Sequence, residues 1–513
     1  MNIIEIISVL LWLYLAIIQF LPIYLKGIAK QYFLLFSLGV FILADDAREI
    51  LLRTIKGEST NNADYEILDS PEPKLYKDMF PFDAPPKMIW DGIEVPQEIP
   101  EKLWITDTSF RDGQQSRDPY TVEQIVELYK YLNKIGGPNG KILMTECFLY
   151  TDRDREAVAK AKSLGFEFPI ISGWIRASKD DLRLAKEAKV EELGMLSSIS
   201  DYHIFYKFKG LSRSQVLSKY LEVIEEGLKS GITMRAHIED CTRADIIGVV
   251  VPFAKKLMRL SDKYGLPVKL RIPDTLGLGL PWVQAALPRS IPKIMWVLRH
   301  IADVPSEWLE FHGHNDFHLG IANATSAWMY GASLNNTTLL GIGERAGNVP
   351  LEAMVFEYAG LKGTLDGINT LAITEASKFY KRTVGYHIPL HYPLVGKNFN
   401  ITRAGIHADG ALKNIEMYLP FDTEKLLGVP PGVSITPYSG NAGVAFWINY
   451  YFNLKNSEKV DKDHASVMKI YREILKKFDK GEALTISDRE MLSLVKKNMP
   501  EFWNNNKSRI NPL

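Results

Sequence analysis

Eight short runs of strand-forming residues, each ending in a polar or charged tip, constrain this chain more than any other feature. They are LWITDT (103–108), ILMTECF (142–148), FPIISGW (168–174), LGMLSSI (193–199), ITMRAHI (232–238), PVKLRIP (267–273), WLEFHGH (308–314) and TTLLGIG (337–343). Amphipathic stretches such as TVEQIVELYKYLNKIG (121–136) and DREAVAKAKSLG (154–165) lie between them. Thr121 is placed as a helix N-cap, and glycines stop both helices. Strand and helix alternating at a repeat of roughly 30–40 residues is the mark of βα units on a parallel sheet. Eight such units in about 250 residues close into a (β/α)8 TIM barrel, whose active site forms where the strands run into the following loops. The expected fold is therefore α/β: a barrel over 101–385 and a mostly helical C-terminal subdomain over 386–513.

The N-terminus has a different texture. Ile3 to Leu25 is almost wholly apolar, and as a helix it would run about 34 Å, enough to cross a bilayer. It has no basic leader and no small-residue cleavage site, so a signal peptide is not expected. Lys26 and Lys30 follow it, which keeps what comes after on the cytoplasmic side. Tyr32 to Leu43 is a shorter apolar run. The expectation is a hydrophobic helical segment over 1–56, a possible membrane anchor through 3–43 or a buried or dimerising helix. A Pro- and acid-rich linker and lead-in follow over 57–100. The 61 basic and 61 acidic residues balance, which argues against a nucleic-acid partner. Two cysteines, Cys147 and Cys241, exclude a disulfide framework or a cysteine zinc cluster.

The polar tips carry the chemistry. In FHGHNDFHLG (311–320) His312 and His314 stand two apart on one strand, so they project to the same side. At a barrel mouth two imidazoles can chelate one divalent ion. Asp112, just past the first strand, adds a hard oxygen, and Asn348, past the eighth, an amide oxygen. Ligation by His, Asp and Asn without cysteine suits Mg2+, Mn2+, Co2+ or Zn2+ in an open catalytic site. Asp316 is read as serving the start of the next helix and His318 as packing inside it. Arg111, beside Asp112, is suited to holding a developing enolate or alkoxide oxygen. Glu239, at the fifth strand tip, is a candidate for orienting water or substrate or for proton transfer. Arg235 and His237 lie deeper and read as polar barrel core, and Cys147 as packing.

DTSFRDGQQ (107–115), HGHND (312–316) and GIGERAGN (341–348) resemble signature segments of the acyl-CoA-condensing metal enzymes. That family includes 2-isopropylmalate synthase, homocitrate synthase and, more distantly, 3-hydroxy-3-methylglutaryl-CoA lyase. SDYH (200–203), IEDCTRAD (238–245) and PDTLG (273–277) fall in the same order. The resemblance covers about residues 100–450 and implies a Claisen condensation of acetyl-CoA with a 2-oxo acid held on a divalent metal. It implies Asp112, His312 and His314 as metal ligands, with Asn348 a fourth ligand or neighbour. Arg111 becomes the catalytic arginine, and Gln114, Glu146, His203, Glu239 and Thr275 line the substrate pocket. NFNITRAGIHADGALKN (398–414) resembles the synthase segment that sends a histidine into the partner subunit's site. His407 is then the general base, Tyr418 takes a similar role, and a homodimer is implied.

Segments such as SGWIRAS, FNITRAGIHADG and PPGVSITPYSGNAGVAFWIN most resemble the Re-type citrate synthases of anaerobic bacteria, whose oxo acid is oxaloacetate. Arg176, on the loop after the third strand, is a candidate partner for the second carboxylate of that substrate. Isopropylmalate or homocitrate synthesis is the alternative. A lyase is disfavoured by the segment carrying His407, and a non-catalytic scaffold by the intact set Arg111, Asp112, His312 and His314.

Overall fold

A computed structural model describes residues 48–57 and 66–510. Its centre is a closed barrel of eight parallel strands in sequence order. They are β1 (Trp104–Asp107), β2 (Ile142–Phe148), β3 (Ile170–Ile175), β4 (Glu192–Leu196), β5 (Thr233–His237), β6 (Val268–Asp274), β7 (Leu309–Gly313) and β8 (Leu334–Thr337). The helix over Val122–Gly136 begins on Thr121, whose side chain accepts the Gln124 N–H while the Gln124 side chain returns to the Thr121 N–H; Gly137 ends it. The next helix is Asp152–Lys162, capped by Thr151, with left-handed Gly165 just beyond its end.

One strand differs from expectation. The eighth was expected at 337–343, yet β8 is Leu334–Thr337, the run LNNT. Its two asparagines hide it from any reading based on apolar texture. The more apolar residues downstream turn instead: Leu340 (φ 59°) and Gly341 (φ 61°) are both left-handed, which no strand accommodates. Asn335 and Asn336 are wholly buried and both are hydrogen-bonded. Asn335 donates to the carbonyl of Ala324, and Asn336 faces Thr106 and His312. Register explains the second contact, because β8 pairs Asn336 with Thr106 of β1 on one side and with His312 of β7 on the other.

The barrel interior is charged. Arg235 bonds Glu192 and Glu310, Arg271 bonds Glu310 and Glu146, and Lys269 closes on Glu192. Arg235 is thus a satisfied polar core residue, as expected. The lead-in over 66–100 has irregular backbone but is tied down. Lys74 N–H reaches Asp201, Arg213 bonds the Leu68 carbonyl, and Arg289 bonds the carbonyl of Lys87. A second apolar core, running from Ala408 to Met499, underlies the C-terminal helices, while Leu427 belongs to the barrel core. The apolar runs within 3–43 lie outside the described residues. Among the described residues no helix is long and apolar enough to cross a membrane.

Arg235→Met would strip one partner from each of two buried carboxylates, and the expected loss is about 3 kcal/mol. Thr121→Ala, which removes only a cap, should cost about 1 kcal/mol. Urea unfolding midpoints of the two variants test that ranking.

Candidate active site

Asp112, His312 and His314 converge at the C-terminal end of the barrel, with one ligand atom of each lying within 4.8 Å of the others. Asp112 Oδ2 stands 3.9 Å from His312 Nε2 and 3.6 Å from His314 Nε2. All three residues are buried. His312 Nδ1 lies 2.7 Å from Asn336 Oδ1, while the Asn336 amide nitrogen donates to Thr106 Oγ1 at 3.0 Å. With its nitrogen so engaged, Asn336 offers His312 an oxygen. The ring therefore carries its proton on Nδ1 and keeps the Nε2 lone pair towards Asp112. Asn336 was not found from sequence because the strand bearing it was misplaced.

Protonation states suit a cation. Burial pushes His312 down to about 3, with Asp112 pulling the other way, and burial also lowers His314. Both rings are neutral at ordinary pH. Burial opposes the charge of Asp112, but Arg111, then His312 and His314, hold its carboxyl well below the usual range. Asn348 sits against Asp112, its Nδ2 donating to Oδ2 at 2.7 Å, and its own Oδ1 is buried without a donor. That orphaned acceptor is the observation that favours a metal. Turned about, the amide would present its oxygen where two imidazole nitrogens and a carboxylate already meet. Gly343 makes the space, because a Cβ there would lie 1.6 Å from Asn348 Oδ1. The donor set contains no sulfur and fits a divalent cation that accepts nitrogen and oxygen.

Arg111 is held rigidly beside this cluster. Its Nη1 donates to Asp112 Oδ1 at 2.7 Å, its Nε to Glu146 Oε2 at 2.8 Å, and its guanidinium lies 5.7 Å from the Trp174 ring. Glu146 also receives Arg271 Nη1 at 2.8 Å and lies 3.1 Å from His237 Nε2. Burial alone would raise Glu146, but Arg271, His237 and Arg111 hold it well below the usual carboxylate range. Glu146 is wholly buried, so it backs Arg111 from beneath and does not line the open mouth as expected. His237 is barrel core, as expected, and Cys147 is buried with its thiol pushed up by burial, which suits packing. Arg271, which the sequence reading passed over, is the residue that joins Glu146 to Glu310.

The remaining expected residues divide. Gln114 is buried in the turn after Asp112, donates to the Phe110 carbonyl and leaves its Oε1 without a donor. Glu239 and His203 pair at 3.5 Å, both partly exposed, and Ser198 donates to Glu239. Thr275 Oγ1 accepts the Asp240 N–H at 2.8 Å, so its side chain braces a loop and keeps its own O–H to donate. Arg176 donates from Nε and Nη2 to Asp181, at 3.0 Å each, and 68% of its side chain is exposed. Asp316 does not serve a helix start, because the helix begins at Gly320; it pairs with Arg345 at 2.9 Å, joining the loops after β7 and β8. His318 lies before that helix, left-handed and exposed, so it is not packed inside it. His407 is exposed and stacks on Tyr418, ring centroids 4.5 Å apart, beside the second core; neither touches the Asp112 cluster.

Residues 102–379 match the HMGL-like family. The chain is 46% identical over 458 residues to the citrate (Re)-synthase of Syntrophus aciditrophicus, covering 89% of this chain and 73% of that protein. It is 46% identical over 438 residues to the citrate (Re)-synthase of Clostridium kluyveri, covering 85% and 96%. The 2-phosphinomethylmalate synthase of Streptomyces hygroscopicus is 35% identical over 434 residues, covering 83% and 96%.

The buried histidines carry a pH signature. Burial, and then the charge of Arg271, push His237 down to about 4, against about 6.5 in an unfolded chain. Its contribution to stability is complete above pH 6.5 and is lost as pH falls towards 4. At pH 5 the loss is about 2 kcal/mol. Asp107 and Asp274, raised to about 6 by burial, and Glu352, raised to about 7, act in the opposite direction. The effect of His237 is therefore read as a difference. His237→Gln should gain about 2 kcal/mol relative to the parent protein between pH 7 and pH 5. Urea midpoints at the two pH values check it, and parallel shifts would refute the assignment.

Proposed function

The chain belongs to the HMGL-like family, and from that premise we propose that it condenses acetyl-CoA with oxaloacetate to give citrate and free CoA. What supports this most is the 46% identity to two citrate (Re)-synthases over 85–89% of the chain. The Asp112–His312–His314 cluster within the matched region supplies the chemistry. Acetyl-CoA, oxaloacetate and water together give citrate and CoA, so the reaction balances without a redox partner.

In this reading Asp112, His312 and His314 hold a divalent cation such as Mn2+, Mg2+, Co2+ or Zn2+, with Asn348 beside it. That cation supplies Lewis acidity at the keto group of the oxo acid. Arg111, fixed between Asp112 and Glu146, is placed to hold the oxygen on which negative charge develops, at no cost in reorganisation. His407 takes a proton from the acetyl methyl group, with Tyr418 stacked against it. Because His407 belongs to the second core and not to its own barrel mouth, we assign it to the mouth of a second copy in a homodimer. The methyl carbon attacks the keto carbon, and water then cleaves the thioester, releasing the CoA thiol. Glu239, supported by Ser198 and His203, orients that water, and Gln114 offers its unpaired oxygen to the substrate. The catalytic domain is placed in the cytoplasm, whether or not residues 3–43 meet a membrane.

The full chain, supplied with acetyl-CoA and Mn2+, should release thiol with oxaloacetate and not with 2-oxoisovalerate, 2-oxoglutarate or pyruvate. Chelation should abolish the release, and His312→Ala should lower kcat/KM by more than about 100-fold. Release only with a branched or longer oxo acid would transfer the protein to the isopropylmalate or homocitrate synthases.

A further inference from the structure

Glu352 is a carboxylate with no cation bonded to it, 2% exposed, in the first turn of the helix Leu351–Lys362. Its two oxygens reach two different parts of the protein. Oε2 accepts the N–H of Leu340 at 3.1 Å, and Oε1 accepts the hydroxyl of Tyr392 at 2.9 Å. Leu340 is the left-handed residue (φ 59°, ψ 19°) at which the chain leaves β8, a conformation that a branched residue holds only when its surroundings enforce it. From that point the loop folds back on itself. Gly341 O accepts the N–H of Asn348 at 3.0 Å, Val349 N–H donates to Gly313 O at 3.2 Å, and His314 and Asn348 form a backbone bridge. The place of Asn348 against Asp112 therefore depends on the turn at Leu340–Gly341. Tyr392 comes from outside the barrel, in the segment that continues through Asn400 and Arg403 to His407. Its backbone is itself looped, with Tyr392 N–H to Pro389 O and Gly396 N–H to Tyr392 O.

We propose that Glu352 and Tyr392 are positioning residues, a buried clasp that sets the turn carrying Asn348 and ties it to the post-barrel segment bearing His407. The inference rests on the reading of Asp112, His312, His314 and Asn348 as a cation site. A buried carboxyl needs donors, but a purely local cap would not take one of them from 40 residues along the chain. The clasp gives the loop after β8 a fixed end, which its glycines cannot supply.

Mn2+ titration of the full-length protein, following free Mn2+ by electron paramagnetic resonance, tests this without recourse to turnover. Glu352→Ala should weaken Mn2+ binding about tenfold. Glu352→Gln can still accept from Leu340 and donate to the phenol oxygen, and should bind within about twofold of the parent. Tyr392→Phe, which loses one arm, should fall between them. Glu352→Ala with a lowered unfolding midpoint and unchanged Mn2+ affinity would overturn the proposal, since the pair would then serve stability alone. If Glu352→Ala does not fold, Tyr392→Phe decides: unchanged affinity overturns the clasp, and weakened affinity at an unchanged midpoint supports it. His312→Ala in the same titration separates the two readings, because undiminished binding there would refute the cation site itself.

Discussion

The salt bridge between Arg271 and Glu146, both wholly buried, is the contact on which the mouth of this barrel depends. Removing a guanidinium and a carboxylate from water is expensive unless each is bonded several times over. Here Arg271 also bonds Glu310, and Glu146 also bonds Arg111. From this pair one continuous path runs both ways to the ligand cluster. In one direction it passes through Glu146 and Arg111 to Asp112. In the other it passes through Glu310, Thr106 and Asn336 to His312. Within the barrel the cations Arg111, Arg235, Lys269 and Arg271 stand against the anions Asp112, Glu146, Glu192 and Glu310. Each of these cations is thus bonded to at least one of these anions, and the network is held together by paired charges. The path also restrains motion, since no ligand on it can turn without breaking a buried hydrogen bond.

The loops complete what the strands begin. Arg345 reaches Asp316 and the carbonyl of Thr275, so the loops after β6, β7 and β8 are held as one rim. Thr275 in turn takes the N–H of Asp240, which brings the loop after β5 into the same set. These are the residues that motif reading tends to treat as substrate contacts, because they are polar and sit at strand tips. Their hydrogen bonds make them part of the frame. Arg176 shows the same use of a polar strand tip: its Nε and Nη2 form a bidentate pair with Asp181, which fixes the loop after β3.

What could be read beforehand followed from local periodicity, and what could not followed from pairing across the barrel. His312 and His314 were legible because a two-residue repeat on a strand fixes their common direction. Asp112 and Asn348 were legible because they lie on the loops that follow strand tips, and Thr121 because a cap is a local event. Asn336 and Arg271 were invisible for the opposite reason. An asparagine in a strand and an arginine between apolar residues look unfavourable until neighbours from other strands are known, and those neighbours (Thr106 and His312, Glu146 and Glu310) are tens to hundreds of residues away. The displaced eighth strand is the same failure in another form. LNNT is a strand because its asparagines are bonded by β1, β7 and the preceding helix, not because its residues favour extension.

The histidines divide by burial in a way that the proposed chemistry requires. A metal ligand has to be neutral and fixed, and a ring enclosed in protein next to cations is held neutral without further device; His312 and His314 meet that condition. A general base has to gain a proton and give it away within each turnover, which a ring sealed in a charged barrel cannot do readily. His407 is exposed beside a separate apolar core, its ring packed at a tilt against Tyr418. Building both kinds of histidine into one barrel would oblige the same electrostatic environment to serve opposite ends. Placing the second on another core removes the conflict, but it makes the distance between the two pieces critical. Tyr392 bonds Glu352, whose other oxygen holds Leu340 at the first turn after β8, and Tyr392 lies on the stretch of chain leading to His407, so the two pieces of one chain are tied together while their environments stay separate.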